Sequence, residues 1–158
     1  MDALSLAESV TIDCPPEVLY DMVADVTGMG EWSPVCKACW WEDGAPGQVG
    51  STFRGRNETP ERTWETVSTV VVAERAREFA WVVNGGWVRW GYRFEPAGGG
   101  TRVTESWEML PAGIEGFRGR YGEEADAQVA QRRQAALSGM PVTLAALKAA
   151  AEATTAAR

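Results

Sequence analysis

Residues 87–109, WVRWGYRFEPAGGGTRVTESWEM, decide the fold. Trp90, Tyr92 and Phe94 fall on every second position before a Pro-Ala-Gly-Gly-Gly break, and Val103, Trp107 and Met109 do so after it, with Glu105 in the same register. A period of two belongs to a β-strand, whose side chains alternate between the faces of a sheet. Two such runs joined by a short glycine-rich link form an antiparallel hairpin. The opposite parity carries Arg89, Arg93, Arg102 and Thr104, so one face of the hairpin is apolar and the other is wet.

Working back toward the N-terminus, the same alternation predicts strands at about 37–43, 50–58, 63–74 and 78–84. Turn residues separate them: Asp43-Gly44-Ala45-Pro46-Gly47, Thr59-Pro60 and Asn84-Gly85-Gly86. Their inward sets are Phe53, Gly55 and Asn57, then Trp64, Thr66, Ser68 and Val70, then Phe79, Trp81 and Val83. Short links between long strands imply an antiparallel meander. A further strand at 4–13 has Leu6, Val10 and Ile12 on one face. The Cys14-Pro15-Pro16-Glu17 string ends it and suits the first turn of a helix, where a proline's missing N–H is not needed. Val18, Leu19, Met22 and Val23 then follow at helical spacing to about Asp25. Thr27-Gly28-Met29-Gly30 breaks that helix, and 31–34 reads as a second short helix or turn.

Beyond Pro111 the pattern changes again. Residues 112–122, AGIEGFRGRYG, hold four glycines and predict a mobile loop closing one end of the sheet. A long helix is predicted over 123–153, with its apolar stripe running through Val129, Ala136, Met140, Leu144 and Leu147. Gly139 and Pro141 inside it predict a kink. The resulting order is strand, two short helices, six strands, long helix. The fold class is α+β, with a curved antiparallel seven-stranded sheet wrapped around the C-terminal helix in a single domain over residues 1–158.

Composition narrows the chemistry. The 158 residues include 8 Trp and no His, and the net charge is −7. Without His the commonest general base, the Ser-His and Cys-His nucleophile pairs and the usual zinc ligand are gone. An acidic surface repels phosphate backbones, so nucleic acid is not expected as a partner. The opening MDALSLAESV has no basic start and no cleavage signal, and no run of about 18 apolar residues occurs. A soluble cytoplasmic protein with no stable membrane insertion is the expectation. The 3 Cys are an odd number. Cys36-Lys37-Ala38-Cys39 has C-x-x-C spacing but leads into a strand, so it reads as buried thiols and not as a metal or redox site.

Four strings carry a family resemblance: Cys14-Pro15-Pro16-Glu17-Val18-Leu19-Tyr20-Asp21, Gly30-Glu31-Trp32-Ser33-Pro34, Phe53-Arg54-Gly55-Arg56-Asn57 behind Gly50, and Gly100-Thr101-Arg102-Val103-Thr104-Glu105-Ser106-Trp107. With the element order, they resemble the SRPBCC (START-like) superfamily of helix-grip domains, which includes polyketide cyclases and dehydrases, in an actinobacterial-looking subgroup. The resemblance covers essentially the whole chain. It implies a hydrophobic cavity between sheet and long helix that takes a small apolar molecule (a lipid, a polyketide or another secondary metabolite), without a cofactor and with a homodimer as one possible assembly.

The candidate ligand-binding residues are Trp32, Phe53, Asn57, Trp64, Ser68, Phe79, Trp81, Trp90, Tyr92, Glu105, Trp107, Met109, Phe117, Met140 and Leu144. The inward tryptophans suit flat aromatic ligands, against the plainer reading that they pack the core. Glu105 is the one candidate for acid–base work, and the plainer reading makes it part of a structural network with Asn57, an arginine or water. Three functions stay open: a ligand-binding module, a polyketide cyclase or aromatase, and an interaction domain of the co-chaperone activator type. Fold alone does not choose among them.

Overall fold

The computed structural model describes residues 4–156. Its elements are β1 (Ser5–Ile12), α1 (Pro16–Ala24), a 3-10 helix (Val26–Glu31), β2 (Cys36–Asp43), β3 (Thr52–Thr59), β4 (Arg62–Glu74), β5 (Glu78–Val83), β6 (Val88–Ala97), β7 (Gly100–Met109), α2 (Pro111–Tyr121), a 3-10 turn (Gly122–Glu124) and α3 (Ala125–Ala156). The strands form one seven-stranded antiparallel sheet in the order β1-β7-β6-β5-β4-β3-β2. The chain is therefore a helix-grip α+β protein, a meander closed at one edge by its own first strand.

Alternation sets the register. Along β7 burial alternates strictly from Thr101 to Met109, and Val103, Glu105, Trp107 and Met109 lie inside. The β6–β7 hairpin turns at Gly98 and Gly99, both at positive φ (54° and 87°), a conformation glycine adopts without steric cost. Outside the sheet, Arg54 pairs with Glu42 at 2.6 Å and Arg89 with Glu78 at 3.2 Å. These outer pairs are the charged parity predicted from the sequence.

α3 covers the concave face through Ala136, Met140, Thr143, Leu144, Leu147 and Ala151, all buried on one stripe. A fully buried Leu contributes about 1.5–3 kcal/mol relative to exposure. The helix continues through Gly139 and carries Pro141 inside it. Among the described residues no helix is long and apolar enough to cross a membrane.

Two local expectations are corrected. Residues 112–122 are not a loop: α2 occupies Pro111–Tyr121, started by Pro111 in its first turn. Its glycines are contact points for Trp87, since a Cβ at Gly113 would strike the Trp87 carbonyl oxygen and one at Gly116 would strike the indole. The short second helix lies at Val26–Glu31 and not at 31–34, so the Thr27–Gly30 string forms it instead of breaking the chain. Asp25 accepts from the Thr27 N–H and hydroxyl, which caps that turn.

Candidate functional site

The inner apolar side chains divide into two clusters. The first gathers Trp32, Phe53, Phe79, Trp81, Tyr92 and Leu144 with α1 and the ends of β1 and β2. The second gathers Trp107, Met109, Phe117 and Met140. Half-buried Trp90 packs against both. In the first cluster Trp81 stacks on Tyr92 at 6.0 Å and meets Phe53 edge-on at 5.6 Å.

Glu105 stands where the clusters meet, between Val103 of the first and Trp107 of the second. Its neighbour across the ladder on β6 is Tyr92. The Tyr92 hydroxyl donates to Glu105 Oε2 at 2.9 Å, while Glu105 Oε1 is buried with no hydrogen-bond partner among the described residues. The residue as a whole is 4% exposed. Burial pushes its carboxyl up to about 8, against the opposing pull of the Tyr92 hydrogen bond. Burial therefore favours the acid form near neutral pH. In the acid form, with Oε2 accepting from Tyr92, the proton belongs on Oε1, which makes that atom a donor for an acceptor brought by a ligand. Burial also raises the Tyr92 phenol.

Opposite Glu105 on the other side, in β1, is Glu8. It is half-buried and shares the parity of Leu6, Val10 and Ile12. Glu8 is a candidate functional position outside the predicted set, although its place in the LSLAESVTI alternation marks it as inward. Like charges directly across a ladder are destabilising, and a neutral Glu105 removes that cost.

The remaining polar candidates are not part of this spot. Asn57 and Ser68 are buried, but they lie on β3 and β4, four and three strands from β7. Asn57 donates to Thr66 Oγ1 at 3.2 Å and not to Glu105. At a spacing of ~4.8 Å per strand, only the curvature of the sheet brings these groups toward one space. Trp64 is half-buried and stacks under the Arg62 guanidinium at 4.0 Å. Arg132 of α3 lies over Phe117 at 5.6 Å, and its pKa is lowered by burial and by the charge of Arg62. This part of the domain is therefore aromatic and cationic in an otherwise acidic protein.

A surface hollow of about 500 Å³ opens between α1, the Val26–Glu31 turn and α3, with Val18, Met22 and Trp32 on its walls and Asp21, Asp25 and Glu31 around them. A smaller one of about 270 Å³ lies at β1 and β7, beside Leu6, Trp107 and Arg89. Among the described residues no three His, Cys, Asp or Glu are grouped to hold a metal.

Residues 3–152 match the family described as polyketide cyclase / dehydrase and lipid transport. A polyketide-cyclase-like protein of Corynebacterium glutamicum is 46% identical, with 93% of this chain and 90% of that one covered and a TM-score of 0.68. A protein of Nitrosomonas europaea at 15% identity superposes over 99% of both chains with a TM-score of 0.70. The di-domain ARO/CYC protein StfQ of the steffimycin biosynthetic pathway is 14% identical, with 97% of this chain and 52% of that one covered and a TM-score of 0.70. The last two likenesses are of fold. No curated protein matches the chain in sequence.

Proposed function

The chain belongs to the polyketide cyclase/dehydrase and lipid transport family, and from that premise we propose that it holds a small, largely apolar ligand between the inner sheet face and α3. The polar anchor is the Tyr92–Glu105 pair. One observation carries this reading: Glu105 Oε1 is buried at the junction of two apolar clusters and has no hydrogen-bond partner among the described residues. An unmet buried polar atom costs about 1–3 kcal/mol, and a ligand carbonyl accepting from the Glu105 acid form relieves it. The inner rings supply flat apolar contact around that point, with Trp81 and Tyr92 in one cluster, Trp107 in the other and Trp90 against both.

A ligand of this kind is an aromatic or polycyclic ketone in preference to a saturated lipid, since the interior offers ring faces and one donor. The test is titration with a panel of fluorescent polycyclic ketones and fatty acids, following quenching of Trp emission. Saturable binding of ketones is expected, weakened by Tyr92→Phe. Absence of binding across both classes overturns the reading.

Catalysis is a second reading, and Glu8 is the observation that favours it. Glu8 lies directly across β1–β7 from Glu105, so two carboxyl groups share one patch of the inner face. Such a pair can donate a proton to one carbonyl and remove one from a neighbouring carbon, as aldol closure of a polyketide chain requires.

A further inference from the structure

Cys36 and Cys39 are three residues apart, which on a regular strand places them on opposite faces. Here they share one. Cys36 pairs with Asn57 and Ala38 with Arg56, so Lys37 is an extra residue in the ladder, a β-bulge that returns Cys39 to the inner face. Both thiols are buried, and their sulfurs are 3.0 Å apart. Gly55 on β3 leaves them room, since a Cβ there would lie 3.4 Å from Cys39 Sγ and 3.5 Å from Cys36 Sγ.

Against the sequence expectation of inert buried thiols, we propose from this shared face and sulfur contact that Cys36 and Cys39 are a peroxide-reactive dithiol that closes to a disulfide and shifts the Val26–Glu31 turn seated on them. A disulfide has its sulfurs ~2.05 Å apart, so closure asks for about 1 Å of approach. The two sulfurs share a hydrogen bond, which lowers the Cys36 thiol while burial opposes it, and Cys36 is the attacking sulfur of the proposed step. Its thiolate attacks one peroxide oxygen: the S–O bond forms, the O–O bond breaks, and the leaving oxygen departs as water with the thiol's proton. Cys39 then attacks the Cys36 sulfenic sulfur, forming S–S and expelling the second oxygen as water. Two thiols and one hydrogen peroxide give one disulfide and two waters, and a small dithiol reverses the change.

The coupling to the turn rests on two contacts. Met29 Sδ lies 3.8 Å from Cys39 Sγ, and Gly30 sits so close to the Lys37 carbonyl that a Cβ there would collide with it. The turn thus rests on the bulge itself, and it leads into Trp32 at the 500 Å³ hollow.

The experiment treats the protein with hydrogen peroxide, alkylates free thiols under denaturing conditions and digests with trypsin without reduction. Cleavage after Lys37 puts Cys36 and Cys39 on separate peptides. The expected product is the linked pair, two hydrogens lighter, which dithiothreitol separates. Fragmentation of the linked species distinguishes Cys36 from Cys14, which shares its peptide. Separate peptides, a sulfinic acid on Cys36, or a Cys14–Cys39 link would each overturn the proposal. So would a stoichiometric thiol-bound metal in the isolated protein that prevents closure. Hydrogen exchange through 26–33 is expected to change on oxidation, and unchanged exchange there overturns the coupling.

Discussion

Tyr92 and Glu105 are direct partners across the β6–β7 ladder, and the phenol donates to one carboxyl oxygen at 2.9 Å while the other meets no partner among the described residues. The folded protein therefore binds the Glu105 proton more tightly than the unfolded chain does. A raised carboxyl of this kind contributes its stability fully below the ordinary value of 4.5 and loses it as pH rises toward about 8. The slope is about 1.4 kcal/mol per pH unit while the unfolded chain is ionised and the folded one is not. Wild-type stability in urea, measured against Glu105→Gln, should fall steadily across that window and run parallel below it. Glu152 has the opposite sign, since the Asp13 N–H and Lys148 lower its pKa, but it is common to both proteins and cancels in the difference. A flat difference between pH 5 and pH 8, on this scale of about 1.4 kcal/mol per unit, would show that Glu105 is ionised in the fold.

The glycines of α2 divide by what they touch. Gly113 approaches the Trp87 backbone, which cannot step aside, and Gly119 has open space around it. Gly113→Ala should cost about 1–3 kcal/mol, as overpacking does. Gly119→Ala should stabilise by about 0.5–1 kcal/mol, because alanine restricts the unfolded chain and favours helix. Thermal melts of both variants check the pair, and equal effects would contradict the packing of Trp87 on α2.

In the same helix intrinsic propensity and tertiary contact pull in opposite directions. Parity along β6 and β7 places Tyr92, Glu105 and Trp107 on the inner face, because burial on one side forces a period of two. The same rule, applied to LSLAESVTI, reaches Glu8. Four glycines in eleven residues argue against helix by intrinsic propensity, and only the presence of Trp87 against α2 overrides it. The bulge at Lys37 has no signature in a strand-like run, so the shared face of Cys36 and Cys39 emerges only from the pairing with β3. Likewise Asn57 has the right parity but finds Thr66, since parity fixes a face and not a neighbour.

α3 provides a control for the packing of the helix on the sheet. Leu147 is fully buried and Val142, on the same helix, is 52% exposed. Leu147→Ala should cost about 2–5 kcal/mol, the range for large-to-small core changes. Val142→Ala should stay within about 0.5 kcal/mol, as for surface sites. Chemical denaturation measures both, and a small loss at Leu147 would mean that the sheet does not grip the helix along this stripe.

The choice between binder and enzyme falls on the Glu105 proton. Glu105→Gln keeps the shape and leaves an amide that still accepts from Tyr92 and donates to a ligand carbonyl, but it cannot give up a proton. If the domain only binds, the affinity for a polycyclic ketone should change by no more than roughly tenfold, about 1.4 kcal/mol. If it closes polyketide rings with Glu105 as the acid, turnover should fall by about 10²–10⁴ with binding retained, the usual scale of one general acid or base. Glu8→Gln separates the two further. As the base opposite Glu105 it should cost turnover to a similar degree, whereas in a binder its half-buried side chain should matter little. Parallel measurement of ketone affinity and of product formation from a poly-β-ketone substrate decides the matter. Loss of rate at both glutamates with affinity intact assigns catalysis to the pair, and unchanged affinity with no product from any variant or from the wild type assigns binding.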